Sequence, residues 1–174
     1  MNSGSVERVA RVLRGLVSAA FAVNLLAIPL VPGAVLAYAA TGGSLWICIL
    51  SGWVQVWTTE YTAVLALFLM FCGVCTAVIL WQGRRVLNTV LREEPFSREN
   101  AASLRRAAVS AFLIAGAALV RVVWGLWFYG SVRPLLTYNA LFVPIFAMAG
   151  LLCLVMSALF RRAAELKAEN DLTI

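Results

Sequence analysis

Residues 61–85 read YTAVLALFLMFCGVCTAVILWQGRR, and this stretch decides the fold. Residues 61–81 carry no charged side chain, and Arg84-Arg85 follow almost at once. A hydrocarbon core about 30 Å thick takes roughly 20 apolar residues of helix. The stretch therefore predicts one transmembrane span that ends at a basic membrane surface. Three more segments, about 16–40, 107–129 and 138–160, have the same character. The whole chain of 174 residues is 63% hydrophobic, with a mean hydropathy of +0.91. Soluble domains are only about half apolar. Four spans and their short connections use the available length, so a single membrane domain over residues 1–174 is expected.

The charges orient the spans. Of 14 Lys and Arg residues, all but Arg121 and Arg133 fall on one side of a four-span arrangement. They form three groups, around Arg8–Arg14, Arg84–Arg106 and Arg161–Lys167. Short cytoplasmic segments carry an excess of Lys and Arg, which predicts cytoplasmic N and C termini. Twelve cations against seven acids leave a net +5 on that face. Such a face favours anionic lipid headgroups. The overall +6 and pI near 9.7 follow from the same bias. They do not point to nucleic acid, because no helix-turn-helix, zinc finger or aromatic-basic platform is visible.

Residues 1–14 form a polar, basic lead-in to the first span. Ala37-Tyr38-Ala39 resembles a signal-peptide cleavage site. However, a signal h-region is only about 7–15 residues, and the apolar run here is about 25, so a retained helix is expected. Pro29 and Pro32 should kink its outer half. Asn24 must satisfy its amide within lipid and should face another helix. Residues 45–57, too short to span, flank Ser51-Gly52 with β-branched and aromatic residues. They predict a small outer-face β-hairpin with Trp46, Trp53 and Trp57 at headgroup depth. A re-entrant or interfacial helix is the alternative.

The second helix should continue past the membrane to Leu91 and stop at Glu93-Glu94-Pro95. Ser97 is placed to cap the third helix, with Glu99 in its first turn and Phe96 as a hydrophobic staple. In the third span Ala107, Ala111 and Ala115 recur every four residues, with Gly116 and Ala118 alongside. Small residues at this spacing let helix backbones approach. Gly150, Cys153 and Ser157 give the fourth span a similar seam. Beyond Phe160 the pattern continues as helix, with Arg161 and Glu165 at i,i+4 spacing, and ends near Asn170-Asp171.

Little in the chain suits catalysis. There is no histidine, hence no usual metal ligand or general base. No metal or cofactor site is expected, and no enzymatic activity. Cys72-Gly-Val-Cys75 matches the spacing of a redox pair. It falls in the middle to inner half of its span, where small apolar packing explains it equally well. Arg121 lies about 22 Å above Arg106 along the third helix, and an ionisable residue at that depth needs a partner. Glu60 is the only acid on that side, so a Glu60–Arg121 pair is expected, as a staple or as part of a ligand or ion site.

Two stretches resemble a known family. They are Glu94-Pro-Phe-Ser-Arg-Glu-Asn100 followed by Leu104-Arg-Arg, and the tail from Ala164 that closes with Glu-Asn-Asp-Leu-Thr-Ile174. Both are similar to the YoaS-like domain-of-unknown-function 2975 group of small bacterial membrane proteins. The resemblance implies four spans in a bacterial inner membrane and no established activity. It also implies a partner, because genes of this group often neighbour one for a Cro/CI-type helix-turn-helix regulator. The reading adopted is an all-α integral membrane protein, a four-helix bundle that binds and controls such a regulator. The residues assigned to that contact are Phe96, Glu99, Asn100, Arg105 and Arg106 of the elbow, and Glu169, Asn170, Asp171, Leu172 and Ile174 of the tail. A homo-oligomer is compatible with the sequence. The rival readings are a small transporter or ion pathway using Asn24, Glu60 and Arg121, and a membrane thiol oxidoreductase.

Overall fold

A computed structural model describes residues 3–40, 59–91, 97–130 and 138–171. They form four helices: α1 (Ser3–Ala40), α2 (Thr59–Val90), α3 (Arg98–Tyr129) and α4 (Tyr138–Asp171). All four are long and apolar enough to cross a membrane. No strand occurs among the described residues, and the hairpin expected at 45–57 lies outside them.

Each helix outruns a bilayer. At 1.5 Å per residue α4 is roughly 50 Å long, and its last turns carry Arg161, Arg162 and Lys167. One difference from the sequence reading is at the start of the chain, where the basic lead-in is helical from Ser3. Arginine is a good helix former, and Arg8, Arg11 and Arg14 alternate with Val9, Val12 and Leu13. The helix also continues through Pro29 and Pro32 to Ala40.

The ends of α3 show why it begins and stops where it does. Ser97 is extended, with φ −114° and ψ 150°, and its side chain accepts from the Asn100 N–H. At the other end Gly130 takes the left-handed conformation, φ 56°, and its N–H donates to the Leu126 carbonyl at 3.0 Å. Only glycine reaches that conformation without a Cβ penalty.

The helices form an open antiparallel bundle in which α1 packs on α2, α2 on α3 and α3 on α4. No other pair comes into backbone contact among the described residues. Helix α3 is the most enclosed, whereas α1 and α4 expose most of their surface. The core joins Phe68, Cys72 and Cys75 of α2 to Ile114 and Ala118 of α3, with Phe142, Val143 and Phe146 of α4 packed against it.

The α3 seam is built from alanine. Ala107, Ala108, Ala111, Ala115 and Ala118 are all buried. Gly116 is on the opposite face, exposed, with nothing within 4 Å of where a Cβ would stand. One residue past Ala115 is a rotation of about 100°, which takes Gly116 out of the seam. On α4, Gly150 lies under the Phe112 ring, where an added Cβ would meet ring carbons at 3.0–3.1 Å. Ser157 donates to the Ala101 carbonyl at 2.7 Å. On the other flank, Gly73 admits Ile28, whose Cγ1 would lie 2.9 Å from an added Cβ.

These contacts rank the glycines. Gly73→Val should lower unfolding stability in detergent micelles by about 1–3 kcal/mol, the usual cost of overpacking. Gly116→Ala should leave it unchanged or slightly raised. Equal effects at the two positions would contradict the packing described.

Candidate functional site

The end of the bundle that carries the arginines also holds a group of side-chain hydrogen bonds. Helices α2 and α3 meet there in a corner held from inside. The Thr89 hydroxyl donates to Asn100 Oδ1 at 2.7 Å and also lies 2.7 Å from the Val86 carbonyl, while the Asn100 N–H reaches Ser97 Oγ at 3.2 Å. Asn100 is completely buried. Its side chain braces the corner and offers no surface to a partner, which corrects its assignment as a contact residue. Arg85 and Glu99 form an exposed ion pair across the corner at 3.4 Å, an interaction of little energetic weight.

Of the remaining elbow and tail residues, Glu99, Arg105, Arg106, Glu169 and Asn170 are exposed. Phe96, Leu172 and Ile174 lie outside the described residues, and Asp171 is placed only as the last residue of α4. Elbow and tail face each other. Arg98, Ala101 and Arg105 of α3 and Ser157, Arg161 and Glu165 of α4 line a cleft of about 330 Å³. Within it Arg161 Nε donates to Glu165 at 3.1 Å. A second cleft, about 570 Å³, opens on the other side of Arg105 between α2 and α3. Sequence reasoning found the arginines of both clefts but missed Gln82, which is buried in the second.

The polar residues within the spans are placed as follows. Asn24 donates from Nδ2 to the Gly73 carbonyl at 3.0 Å, tying α1 to α2 beside the Ile28 contact. Arg121 is buried, and its guanidinium carbon stands 4.8 Å from the centroid of the Phe68 ring. The guanidinium thus turns inward over an aromatic face, a favourable arrangement for a cation removed from water. Glu60 belongs to the first turn of α2, and its side chain lies outside the described residues. Cys72 and Cys75 are both buried in the core, one helical turn apart. They pack there as small apolar side chains do. Among the described residues no group of three or more His, Cys, Asp and Glu side chains could hold a metal ion.

A family model described as "Protein of unknown function (DUF2975)" matches residues 19–174. The chain belongs to the DUF2975 family. The match takes in more than half of α1 and all of α2, α3 and α4, so the corner and both clefts lie within it. Together with the four apolar helices, it makes this DUF2975 chain a multi-pass membrane protein of a family without assigned function. Comparison with curated proteins and with solved structures found no match.

The corner makes the clearest mutational test. Asn100→Ala leaves the Thr89 hydroxyl without one of its two oxygen neighbours and should cost about 1–2 kcal/mol. The effect should be local, with faster amide exchange in residues 86–90 and 97–101 and unchanged exchange around Ala111 to Ala118. Loss of protection throughout α3 would show that the corner is not a separate unit.

Proposed function

We propose that this DUF2975 protein works by binding, as an inner-membrane protein of bacteria whose basic end contacts a cytosolic regulator. The observation that carries the reading is the shared surface of elbow and tail. The α2–α3 corner and the α4 extension form one cleft, with Arg98, Arg105, Arg161 and Glu165 on its walls. That surface stands beyond the apolar part of the helices, where α4 runs on as an exposed helix. The excess of arginine at this end supports a cytosolic orientation. The family resemblance supplies the class of partner, a Cro/CI-type helix-turn-helix protein. The mixed sign of the lining suits a protein surface, since it offers cations and an acid within one groove.

On this reading the protein holds or releases its partner in response to a change within the bilayer or at the far face. Such coupling requires two states that differ in affinity for the partner. The open bundle provides a means, because α1 and α4 each come into backbone contact with only one neighbouring helix among the described residues. Truncation before Glu169, or charge reversal by Arg161→Glu, should reduce co-purification of the regulator from native membranes and alter transcription of its targets. If both variants kept the partner and left transcription unchanged, the reading would fail.

The burial of Arg121 favours a second reading, a small transporter or ion pathway. The Asn24 amide is engaged by the Gly73 carbonyl, which leaves Arg121 as the central charge. Arg121→Leu would then abolish flux in liposomes at unchanged folding. A purely structural role predicts a lower unfolding temperature and nothing else.

A further inference from the structure

The cleft between α2 and α3 has the chemistry of a phosphate-bearing ligand that also carries a hydroxyl group. Val78 and Gln82 of α2 and Arg105, Arg106, Val109 and Ser110 of α3 line its volume of about 570 Å³. Two of its features are independent of each other. The first is charge. Among the described residues Arg85 pairs with Glu99 and Arg161 with Glu165, which engages both of these acids with other arginines than Arg105 and Arg106. Both arginines are exposed at the mouth of the cleft. The second feature is an unmet acceptor. Gln82 is only 7% exposed, and its Oε1 is buried without a hydrogen-bond donor. A buried carbonyl oxygen left in that state is costly.

An anion that carries no O–H or N–H satisfies the arginines but not Gln82, because it brings no hydrogen to donate. A ligand with a phosphate and a free hydroxyl satisfies both. The surroundings of the cleft say where such a ligand would come from. Below the arginines the lining turns apolar at Val78 and Val109, and the exposed side chains Val74 and Leu113 continue in the same direction along their helices. Arg106 lies roughly 20 Å from Arg121 along α3. The guanidinium groups therefore sit at headgroup level while the valines and Leu113 sit at acyl-chain level.

We propose that this cleft is a binding site for one anionic phospholipid whose headgroup carries a hydroxyl, of the phosphatidylglycerol class. The phosphodiester accepts from Arg105 and Arg106, the Gln82 amide turns so that Oε1 faces the cleft and accepts from the headgroup hydroxyl, and an acyl chain lies along Val78, Val109 and Leu113. Ser110 donates its own hydroxyl to the Arg106 carbonyl at 3.2 Å. Its oxygen remains able to accept a second headgroup hydrogen. The site does not depend on the regulator reading, although Arg105 is common to both clefts.

The test uses the full chain in nonionic detergent, titrated with phosphatidylglycerol, phosphatidylmethanol or phosphatidylcholine, with bound lipid counted by native mass spectrometry. One phosphatidylglycerol should be retained in preference to phosphatidylcholine. Arg105→Gln with Arg106→Gln should weaken that retention roughly 30-fold, as expected from about 1 kcal/mol for each cation. Arg11→Gln with Arg14→Gln removes the same charge from α1 and should change it less than about twofold. Equal losses in the two double variants would show diffuse attraction and overturn the site. Gln82→Leu should weaken phosphatidylglycerol binding and spare phosphatidylmethanol, an anionic phosphodiester with no headgroup hydroxyl, whose retention also reports that the variant is folded. Undiminished phosphatidylglycerol binding by Gln82→Leu would overturn the hydroxyl contact. Displacement of the lipid by water-soluble glycerol phosphate would assign the cleft to a soluble ligand and overturn the lipid proposal.

Discussion

Inside a bilayer an apolar side chain gains nothing by leaving lipid for a neighbouring helix, so these helices are held by how closely their backbones approach. That constraint explains the composition of α3. Alanine is repeated along its buried face because each position faces a neighbouring helix. Glycine stands where a larger residue must enter from the other side, Ile28 at Gly73 and the Phe112 ring at Gly150. Many of the large aliphatic residues are turned outward. Leu26 and Leu30 of α1 are exposed, as are Leu151 and Leu152 of α4. In water that pattern would be an aggregation hazard, and in lipid it is the expected surface.

Polar contacts are few, and each is placed where close packing alone would leave an ambiguity. Asn24 fixes α1 against α2 at a single carbonyl, and Ser157 does the same for α4 against α3. Interhelical hydrogen bonds of this kind contribute only about 1 kcal/mol. Their value is positional, since a slide of one turn along either helix would leave the donor in hydrocarbon without an acceptor. The α2–α3 corner follows the same logic at the membrane surface. Thr89, Ser97 and Asn100 satisfy one another there, so a turn rich in polar groups can be compact.

Much of this was legible in the sequence because lipid imposes strict rules on it. Span lengths, the continuation of α2 and α4 beyond the bilayer, the Ser97 cap and the partner needed by Asn24 all follow from charge placement and hydrogen-bond demand. What escaped the reading depends on rotation and depth. Gly116 looked like part of the alanine seam because it adjoins Ala115, yet one residue of helix turns it to the lipid face. Asn100 looked like a surface residue in the first turn of a helix, and only the return of α2 buries it. For Arg121 a carboxylate was the natural partner to seek. A sequence gives no sign that Phe68, about two turns before the middle of another helix, presents its ring to the guanidinium. The lead-in before the first span read only as polar and basic, because its arginines were weighed as topological signals and not as helix formers.

The position of Arg105 links the two proposed roles of the basic end. It is the one charged side chain that lines both clefts, with α2 on one side and the α4 extension on the other. A guanidinium drawn toward a phosphate beside Gln82 is withdrawn from the cleft that faces Arg161 and Glu165. A partner protein seated on the elbow and tail would compete for the same group. Binding at the two clefts is then coupled through one side chain, and linkage requires the coupling to be reciprocal. Lipid that weakens partner binding must itself be bound more weakly when the partner is present. A bilayer whose anionic lipid content changes could in this way alter the occupancy of the cytosolic surface without any helix crossing the core being rearranged. The alanine seam of α3 is well suited to that division of labour. On the two proposals this seam stays packed while α1 and α4 are left able to shift, and the coupling between the clefts passes through the Arg105 rotamer.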